Sequence, residues 1–243
     1  MGDADVRAVA GAGGDNVGGA GGDDASDLEG VARRAWEAHV HEVAALHPSL
    51  AAELEDHGMP ERWSRPPGFP SLVLLILEQQ VSLASAAAAY ARIRSRTGAM
   101  TPAAVLATTS EELRADGVSR QKDRYLRALA TAVESGELDL EELKALDDDE
   151  VAAALTALPG IGRWTAEAYL LACLDRPDVW PIGDRALQLA VAERLGLDEV
   201  PVGVDLEELG EQWRPHRSTA ARLLWHGYLA RRGRRETVVD LAP

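Results

Sequence analysis

The sequence predicts an all-α protein, and three features carry that prediction. Strict alternation of apolar and polar residues, typical of half-buried strands, is essentially absent. Apolar segments are instead bounded by helix-start residues such as Thr101-Pro102 and by helix-stop residues such as Gly98 and Gly196. Apolar residues make up 46% of the 243 residues. That is enough to build one sizeable domain or two small lobes that share a cleft.

The predicted elements follow from these signals in chain order. Residues 1–27 are mostly Gly, Ala and Asp, so they have little to bury and are predicted to be a disordered tail. A first helix begins near Asp27 as its N-cap and runs to Leu46, and a loop with four prolines covers 58–70. Thr101 and Ser110 each cap a short helix. Longer helices are predicted over 71–97, 122–135, 151–158, 163–174, 185–195 and 218–232.

The charge of the chain is strongly negative but unevenly distributed. The formal net charge is −15, which argues against a nucleic-acid partner because phosphate binding requires Lys and Arg. Acidic residues are concentrated in 1–30 and 137–150, whereas 214–235 holds seven Arg and no Asp or Glu. The charge therefore weakens the case for nucleic-acid binding without excluding it.

Cysteine content and hydropathy exclude several classes of protein. Cys173 is the only cysteine, which excludes an intramolecular disulfide, a four-cysteine zinc site and a cysteine-ligated iron–sulfur cluster. The N-terminus has no apolar segment typical of a signal peptide, and the apolar run 72–77 is too short to span a bilayer. We expect a cytoplasmic protein that contacts no membrane and holds no metal centre.

The sequence LPGIG at 158–162, between two predicted helices, is the most informative segment. Gly160 and Gly162 allow backbone conformations and close approaches that other residues do not. The amides at the start of the following helix would point outward and form a small anion site, suited to a phosphate. An ordinary helix–turn–helix corner with a glycine C-cap is the alternative.

Three separated segments resemble the helix–hairpin–helix DNA glycosylase superfamily, and most of all its bacterial 3-methyladenine DNA glycosylase II type. They are LPGIGRWTA at 158–166 with Asp184 following, LEQQVS at 77–82, and WRPHRSTAARLLWHGY at 213–228, all in the order of the family. The resemblance covers about residues 70–230. It implies double-stranded damaged DNA as the partner and a monovalent cation at the hairpin as the one possible cofactor. The residues implied in DNA-backbone binding are Gly160, Ile161, Gly162, Arg163 and Thr165.

Asp184 stands directly before a predicted helix, where Asp is a preferred N-cap and needs no other role. The two roles are compatible, since a helix N-terminus stabilises a carboxylate. Cleavage of an N-glycosidic bond builds positive charge on the deoxyribose, and a fixed carboxylate would stabilise that charge. The resemblance places the catalytic aspartate here, so we interpret Asp184 as catalytic. Asp175 and Asp178 are nearby, but neither matches the motif.

Trp164 occupies the position where relatives that also cut the strand carry a lysine. An indole cannot form a Schiff base, so the residue predicts a monofunctional glycosylase that uses water. By the resemblance, Trp164 would border the base pocket, where an electron-rich ring favours a cationic methylated purine. A purely structural tryptophan in the core is an equally good interpretation.

Three further positions have predicted roles with structural alternatives. Gln80 matches the wedge that fills the gap left by a flipped base, or is simply a polar residue at a helix end. His216 matches the base pocket, or only begins a helix. The arginines between 214 and 235 could contact phosphate or form a solvated face. Glu78 places a negative charge near the presumed wedge, where it does not favour DNA binding.

Together these features predict a monomeric DNA glycosylase that removes alkylated purines by hydrolysis after base flipping. Its helical domain is predicted over 28–235, with one lobe formed by 28–100 and 197–235, a second lobe by 101–196, and a tail at 236–243. No strand pattern accounts for the β-rich N-terminal domain that some family members carry. Two alternatives are a non-enzymatic DNA-binding module and the same fold acting on uracil or an oxidised purine. Asp184 argues against the first, since a pure binder does not need it.

Overall fold

The computed structural model describes residues 22–234 and Leu241, and this part of the chain contains helices and no strands. The predicted all-α class is confirmed. Two short 3₁₀ segments, Glu142–Lys144 and Glu211–Trp213, supplement the α-helices. In chain order the α-helices are α1 Gly22–Leu46, α2 Pro48–His57, α3 Phe69–Glu78, α4 Leu83–Thr97, α5 Pro102–Ala107, α6 Ser110–Ala115, α7 Arg120–Glu134, α8 Asp148–Thr156, α9 Arg163–Ala172, α10 Arg185–Leu195, α11 Val204–Gly210 and α12 Arg217–Ala230.

The first helix begins earlier than the sequence indicates. It starts at Gly22 rather than at Asp27, so residues 22–27 belong to α1 and not to a disordered tail. No proline interrupts the segment 22–46, so the helix can extend back to Gly22. The rest of the predicted tail, 1–21, and most of the predicted tail 236–243 lie outside the described residues.

Local capping signals place most helix ends correctly. Thr101 accepts the amide of Ala104 at the start of α5, and Gly196 ends α10 in the left-handed conformation at φ 65°. At α6 the cap is Thr109 rather than Ser110, because Thr109 forms a reciprocal capping box with Glu112. The helices α2 and α11 were not predicted.

The predicted long helix over 71–97 is wrong, because it is two helices. The chain leaves α3 after Glu78 and enters α4 at Leu83. Between them Gln80 has φ 59°, a left-handed conformation that stops an α-helix, and Ser82 caps α4 by accepting the amide of Ser85. An exposed turn therefore separates the two helices.

Helix packing divides the protein into two groups, but not at the predicted lobe boundaries. One group is α1, α2, α10 and α12, and the other is α3 to α9. The segment 69–97 thus packs with α7 and α9, and 185–195 packs with α2 and α12. The predicted lobes followed chain order, whereas the apolar faces pair across long sequence separations. One continuous core joins both groups.

A buried polar network fastens α2 to α10 and α12 in the first group. Glu53 is fully buried, and its carboxylate binds both Arg194 and Arg231. Gly227 of α12 lies directly against this carboxylate, at a point where a Cβ atom would overlap the Glu53 side chain. The network therefore requires glycine at position 227.

We expect Gly227→Ala to destabilise the protein by about 1–3 kcal/mol, the usual cost of overpacking a closed interior. Thermal or urea unfolding measures the change. Gly162→Ala is the matched control, because a Cβ atom there meets nothing within 4 Å. Equal free energies of unfolding for the two variants would show that the interface between α2 and α12 can shift to accept the added methyl group.

Candidate active site

A cavity of about 410 Å³ lies between the two groups of helices. Its walls are mainly apolar and aromatic, with a few charged side chains among them. Pockets of this size and composition bind small organic groups such as a nucleobase. The lining residues used below are Trp63, Arg65, Glu78, Trp164, Asp184, Trp225 and Tyr228.

Asp184 places its carboxylate at this cavity and accepts three N–H donors. Oδ1 accepts the backbone amide of Leu187 at 2.8 Å, as an N-cap does, and the indole Nε1 of Trp225 at 3.0 Å. Oδ2 accepts the indole Nε1 of Trp164 at 2.9 Å. Every donor is an N–H group, which is the set of partners that an ionised carboxylate accepts. The helix cap and the cavity carboxylate are therefore the same group.

Aromatic side chains from three separate elements form the cavity walls. Trp164 comes from α9, and Trp225 and Tyr228 come from α12. Trp63 comes from the loop before α3, and its ring centroid lies 5.6 Å from that of Trp225. Only Trp164 among these was predicted. Trp225 lies within the third family-like segment, so the resemblance could have indicated it.

Glu78 does not present a free negative charge, contrary to the concern raised by its sequence position. Both of its carboxylate oxygens accept from Arg65, at 2.7 and 2.9 Å, and both side chains are largely buried. A bidentate pair of this kind neutralises the charge. It also fixes the loop that carries Trp63 against α3.

The two competing carboxylates, Asp175 and Asp178, are engaged in ion pairs. Asp175 pairs with Arg62 at 2.6 Å, and Asp178 pairs with Arg217 at 2.8 Å and Arg214 at 2.7 Å. Neither carboxylate lines the cavity. Of the three aspartates considered, Asp184 is thus the one whose carboxylate lies at the cavity.

Arginines of the basic C-terminal segment also make contacts within the protein. Arg222 is buried, and its guanidinium lies over the ring of Trp63 at 5.4 Å. Arg231 and Arg232 bind Glu193, at 2.9 and 2.5 Å. Arginines predicted to contact phosphate are therefore engaged within the protein, because acidic side chains elsewhere in the chain fold against them.

The hairpin requires glycine at one of its two glycine positions. Gly160 has φ +88°, and a Cβ atom there would overlap the ring of Tyr125 on α7. Gly162 has φ −96°, which any residue adopts, and its Cβ position is open. Gly162 therefore leaves space in front of the first amides of α9, and it has no side chain to cap them. Such amides bind anions.

The other predicted backbone-binding residues differ in what they expose. Ile161 and Thr165 are buried, so only their main-chain groups are available to a ligand. The side chain of Arg163 is exposed but bonds Glu167 at 2.7 Å and Glu207 at 3.0 Å. A cation at the hairpin would need main-chain carbonyls, and two of these, at Leu158 and Gly160, already accept hydrogen bonds. The cation stays a prediction.

Gln80, the predicted wedge, lies at the exposed tip of the turn between α3 and α4. The preceding residue, Gln79, was not predicted to have a role. Its side-chain amide donates to the carbonyl of Gly160 at 2.8 Å and to the hydroxyl of Thr165 at 3.1 Å. The turn and the hairpin are therefore neighbours on one surface.

His216 does not line the cavity, which corrects its predicted place in the base pocket. Its ring lies 5.6 Å from that of His39 on α1, and burial together with His216 lowers the pKa of His39. The reason is helix length. His216 precedes α12, and at 1.5 Å per residue it is about 14 Å along the axis from Trp225, which does reach the cavity.

The remaining reactive groups do not form a second centre. Cys173 is buried, and burial raises its pKa to about 12, so its thiol stays protonated. Among residues 22–234 no three His, Cys, Asp or Glu side chains cluster as a metal site would require. No helix in the described part of the chain is long and apolar enough to cross a membrane.

Comparison with known proteins identifies the family. A model of the HhH-GPD superfamily of base excision DNA repair proteins matches residues 73–217. The chain belongs to this superfamily. The predicted superfamily is thereby confirmed, and the matched range of this HhH-GPD protein includes the hairpin, Trp164 and Asp184.

Relatives of this HhH-GPD protein include enzymes named for 3-methyladenine. DNA-3-methyladenine glycosylase 1 of Schizosaccharomyces pombe is 31% identical over 161 residues, which cover 65% of this chain and 71% of the relative. A solved S. pombe 3-methyladenine DNA glycosylase in complex with abasic DNA gives a TM-score of 0.70 at 28% identity, over 75% of this chain and 92% of that chain. A DNA-3-methyladenine glycosidase of Bacillus halodurans gives 0.66 at 35% identity, over 76% and 87%.

We expect Gly162→Asp to weaken DNA binding by this HhH-GPD protein strongly while leaving its fold intact. The new side chain meets open space, but its carboxylate would face the phosphate site at the start of α9. Affinity for a duplex with an abasic analogue, measured by fluorescence anisotropy, should fall by at least about tenfold. Gly162→Ala is the control and should bind nearly as wild type. Unchanged affinity of Gly162→Asp would disprove phosphate binding at the hairpin.

Proposed function

We propose that the protein is a monofunctional DNA glycosylase that hydrolyses the N-glycosidic bond of alkylated purines, with Asp184 as its catalytic carboxylate. The observation that carries this proposal is the Asp184 carboxylate, held by two indole N–H groups at the edge of an aromatic cavity of nucleobase size. The 3-methyladenine names of the relatives support the choice of substrate class.

The reaction follows from the placement of one carboxylate beside an aromatic pocket. A purine alkylated on a ring nitrogen is cationic, so the bond from C1′ to the base nitrogen breaks with both electrons passing to the base. The base leaves neutral and needs no proton from the protein. Asp184 stabilises the positive charge that develops on the deoxyribose. Water then adds at C1′, and its proton passes to Asp184 or to solvent.

The aromatic walls favour a cationic base over a neutral one. Indole faces attract cations through their negative quadrupole, and the attraction increases when water is excluded. Trp164 and Trp225 both donate their N–H groups to Asp184, which orients the rings at the cavity edge. Trp63 differs because Arg222 already lies over its ring.

The positions of the lysines support hydrolysis without strand cleavage. The chain has two lysines, Lys122 and Lys144, and neither lines the cavity. Lys122 donates to the carbonyl of Leu77 at 2.7 Å, and Lys144 binds Glu141. By the family resemblance, relatives that also cut the DNA strand carry a lysine at the position of Trp164. A Schiff base with the abasic sugar is therefore not expected.

Two other functions compete with this proposal. A binding module without activity would need the hairpin but neither the cavity nor a carboxylate at its edge. The same fold acting on uracil or an oxidised purine would act on a base that is uncharged in the nucleotide, which leaves as an anion unless it is first protonated. A panel of duplexes with single damaged bases separates these functions directly.

The DNA strand path has a second basic element beside the hairpin. Arg120 and Arg124 lie one turn apart at the start of α7, both exposed. Tyr125 of the same helix packs under Gly160. Asp123, the acidic residue between them, is bound by Arg127, and within residues 22–234 neither Arg120 nor Arg124 forms an ion pair. These two side chains are free to meet phosphate.

We expect Asp184→Asn to reduce excision of 3-methyladenine from duplex DNA by about 10²–10³-fold, comparable to the loss of one strong electrostatic contact. Asparagine keeps the cap to Leu187 but removes the charge and turns an amide toward Trp164. Single-turnover release of free base is the measurement. Borohydride should trap no covalent adduct with wild-type protein, and the product strand should remain uncut.

The control is Asp178→Asn, which alters a carboxylate outside the cavity. It should keep excision within about threefold of wild type. Near-normal excision by Asp184→Asn would show that Asp184 is only a helix cap. A trapped adduct would instead disprove the monofunctional assignment.

We expect Arg120→Gln and Arg124→Gln to weaken DNA binding uniformly across sequences. Each loss of one phosphate contact should reduce the slope of log Kd against log salt by about 0.9. Arg34→Gln on α1 is the control, since α1 packs mainly against α2 and α12. Unchanged slopes for the α7 variants would remove this helix from the strand path.

A further inference from the structure

The turn 79–82 between α3 and α4 is held to other parts of the protein by side chains at its start. Gln80 at its tip is exposed and adopts φ 59°, which costs free energy for a residue that is not glycine. Such a conformation persists only where the surroundings impose it. The contacts around the turn therefore indicate what holds Gln80 in this conformation.

Gln79 makes the contact that reaches farthest along the chain. Its Nε2 donates to the carbonyl of Gly160, in the hairpin itself, and to the hydroxyl of Thr165, in the first turn of α9. These partners are 81 and 86 residues away in sequence. Thr165 is buried, so one end of the link is fixed in the core.

A second contact fixes the end of α3 from the side of α7. The ammonium of Lys122 donates to the carbonyl of Leu77 at 2.7 Å, and burial lowers the pKa of Lys122. Cations are favoured at the C-terminal carbonyls of a helix. Ser82 then caps α4 on the far side of the turn. The turn is thus held on both sides of Gln80.

We propose that Gln79 is a positioning residue that links the wedge turn to the hairpin. The inference rests on the proposed function and on two predictions from the sequence, that the hairpin binds the backbone of one strand and that Gln80 fills the gap left by the flipped base. The link fixes the offset between these two DNA contacts. Gln79 itself touches neither base nor phosphate in this role.

The expected consequence is specific to base flipping. The duplex is held in place by phosphate contacts, so the tip of the turn must already be aligned with the gap when the base leaves the stack. A misplacement of about 1 Å is enough to cost up to 100-fold in rate. Loss of the link should thus slow the steps that need the wedge, while the phosphate contacts at the hairpin and on α7 persist.

Gln79→Met tests the link, because methionine has a similar length and no N–H donor. Excision of 3-methyladenine from a fully paired duplex should fall by about tenfold or more, with Kd for the abasic-analogue duplex within about threefold of wild type. Excision should fall much less when the damaged base lies opposite a mismatch, because flipping is easier there. Gln212→Met is the control, since Gln212 donates in the same way to a backbone carbonyl, that of Leu209, outside the cavity wall.

Two measurements do not depend on excision. Amide hydrogen exchange over residues 79–83 should become faster in Gln79→Met, while exchange in α5 and α8 stays as in wild type. Fluorescence of 2-aminopurine placed opposite an abasic analogue should rise on binding of wild type, as the wedge disturbs the stack, and should rise less with the variant.

The outcomes separate this proposal from the proposed function. If wild type releases no alkylated base, the proposed function fails, and the exchange and fluorescence comparisons still test the link. If wild type is active, equal slowing on paired and mismatched substrates shows that Gln79 only supports the fold. Exchange and fluorescence that match wild type overturn the link. Thr165→Val, which removes one of the two acceptors, should give an intermediate effect if the link exists.

Discussion

The three hydrogen bonds to the Asp184 carboxylate are the interaction on which the site depends. Their donors come from the start of α9, from the middle of α12 and from the first turn of α10. Two of these helices, α10 and α12, lie in one helix group and α9 lies in the other. A partly buried anion needs such donors, and the two indole N–H groups equally need an acceptor. The carboxylate therefore connects the two groups at the edge of the cavity.

The distribution of charge explains how an acidic chain can bind DNA. Most arginines of the C-terminal segment are engaged with Asp178, Glu193 and Glu211 inside the protein. The predicted phosphate site is formed instead by main-chain amides at the start of α9, whose partial positive charge does not depend on net charge. The exposed pair on α7 adds positive charge beside them. Net charge is thus a poor guide to this interface, whereas the position of each charge is a good one.

The parts of the fold that depend on neighbouring residues were predictable from the sequence. Thr101 and Gly196 cap their helices through contacts within four residues, so their identities are enough. The break at Gln80 was missed because the chain around it is held by contacts of Gln79 and Lys122 between distant segments, which the local sequence does not show. The lobe boundaries were missed for the same reason, since the packing partners of a helix are not encoded in its own pattern.

The site shows the same division between local and distant signals. Asp184 and Trp164 were found because they follow a recognisable hairpin at a fixed spacing. Trp63 was not, because it lies in a proline-containing loop whose place at the cavity is set by Arg65, Glu78 and Arg222. His216 was predicted at the cavity because the family-like segment spans the whole of α12. Only the part of that helix that faces the cavity, with Trp225 and Tyr228, lines it. Sequence motifs therefore indicate which elements build this site, and packing decides which of their residues reach it.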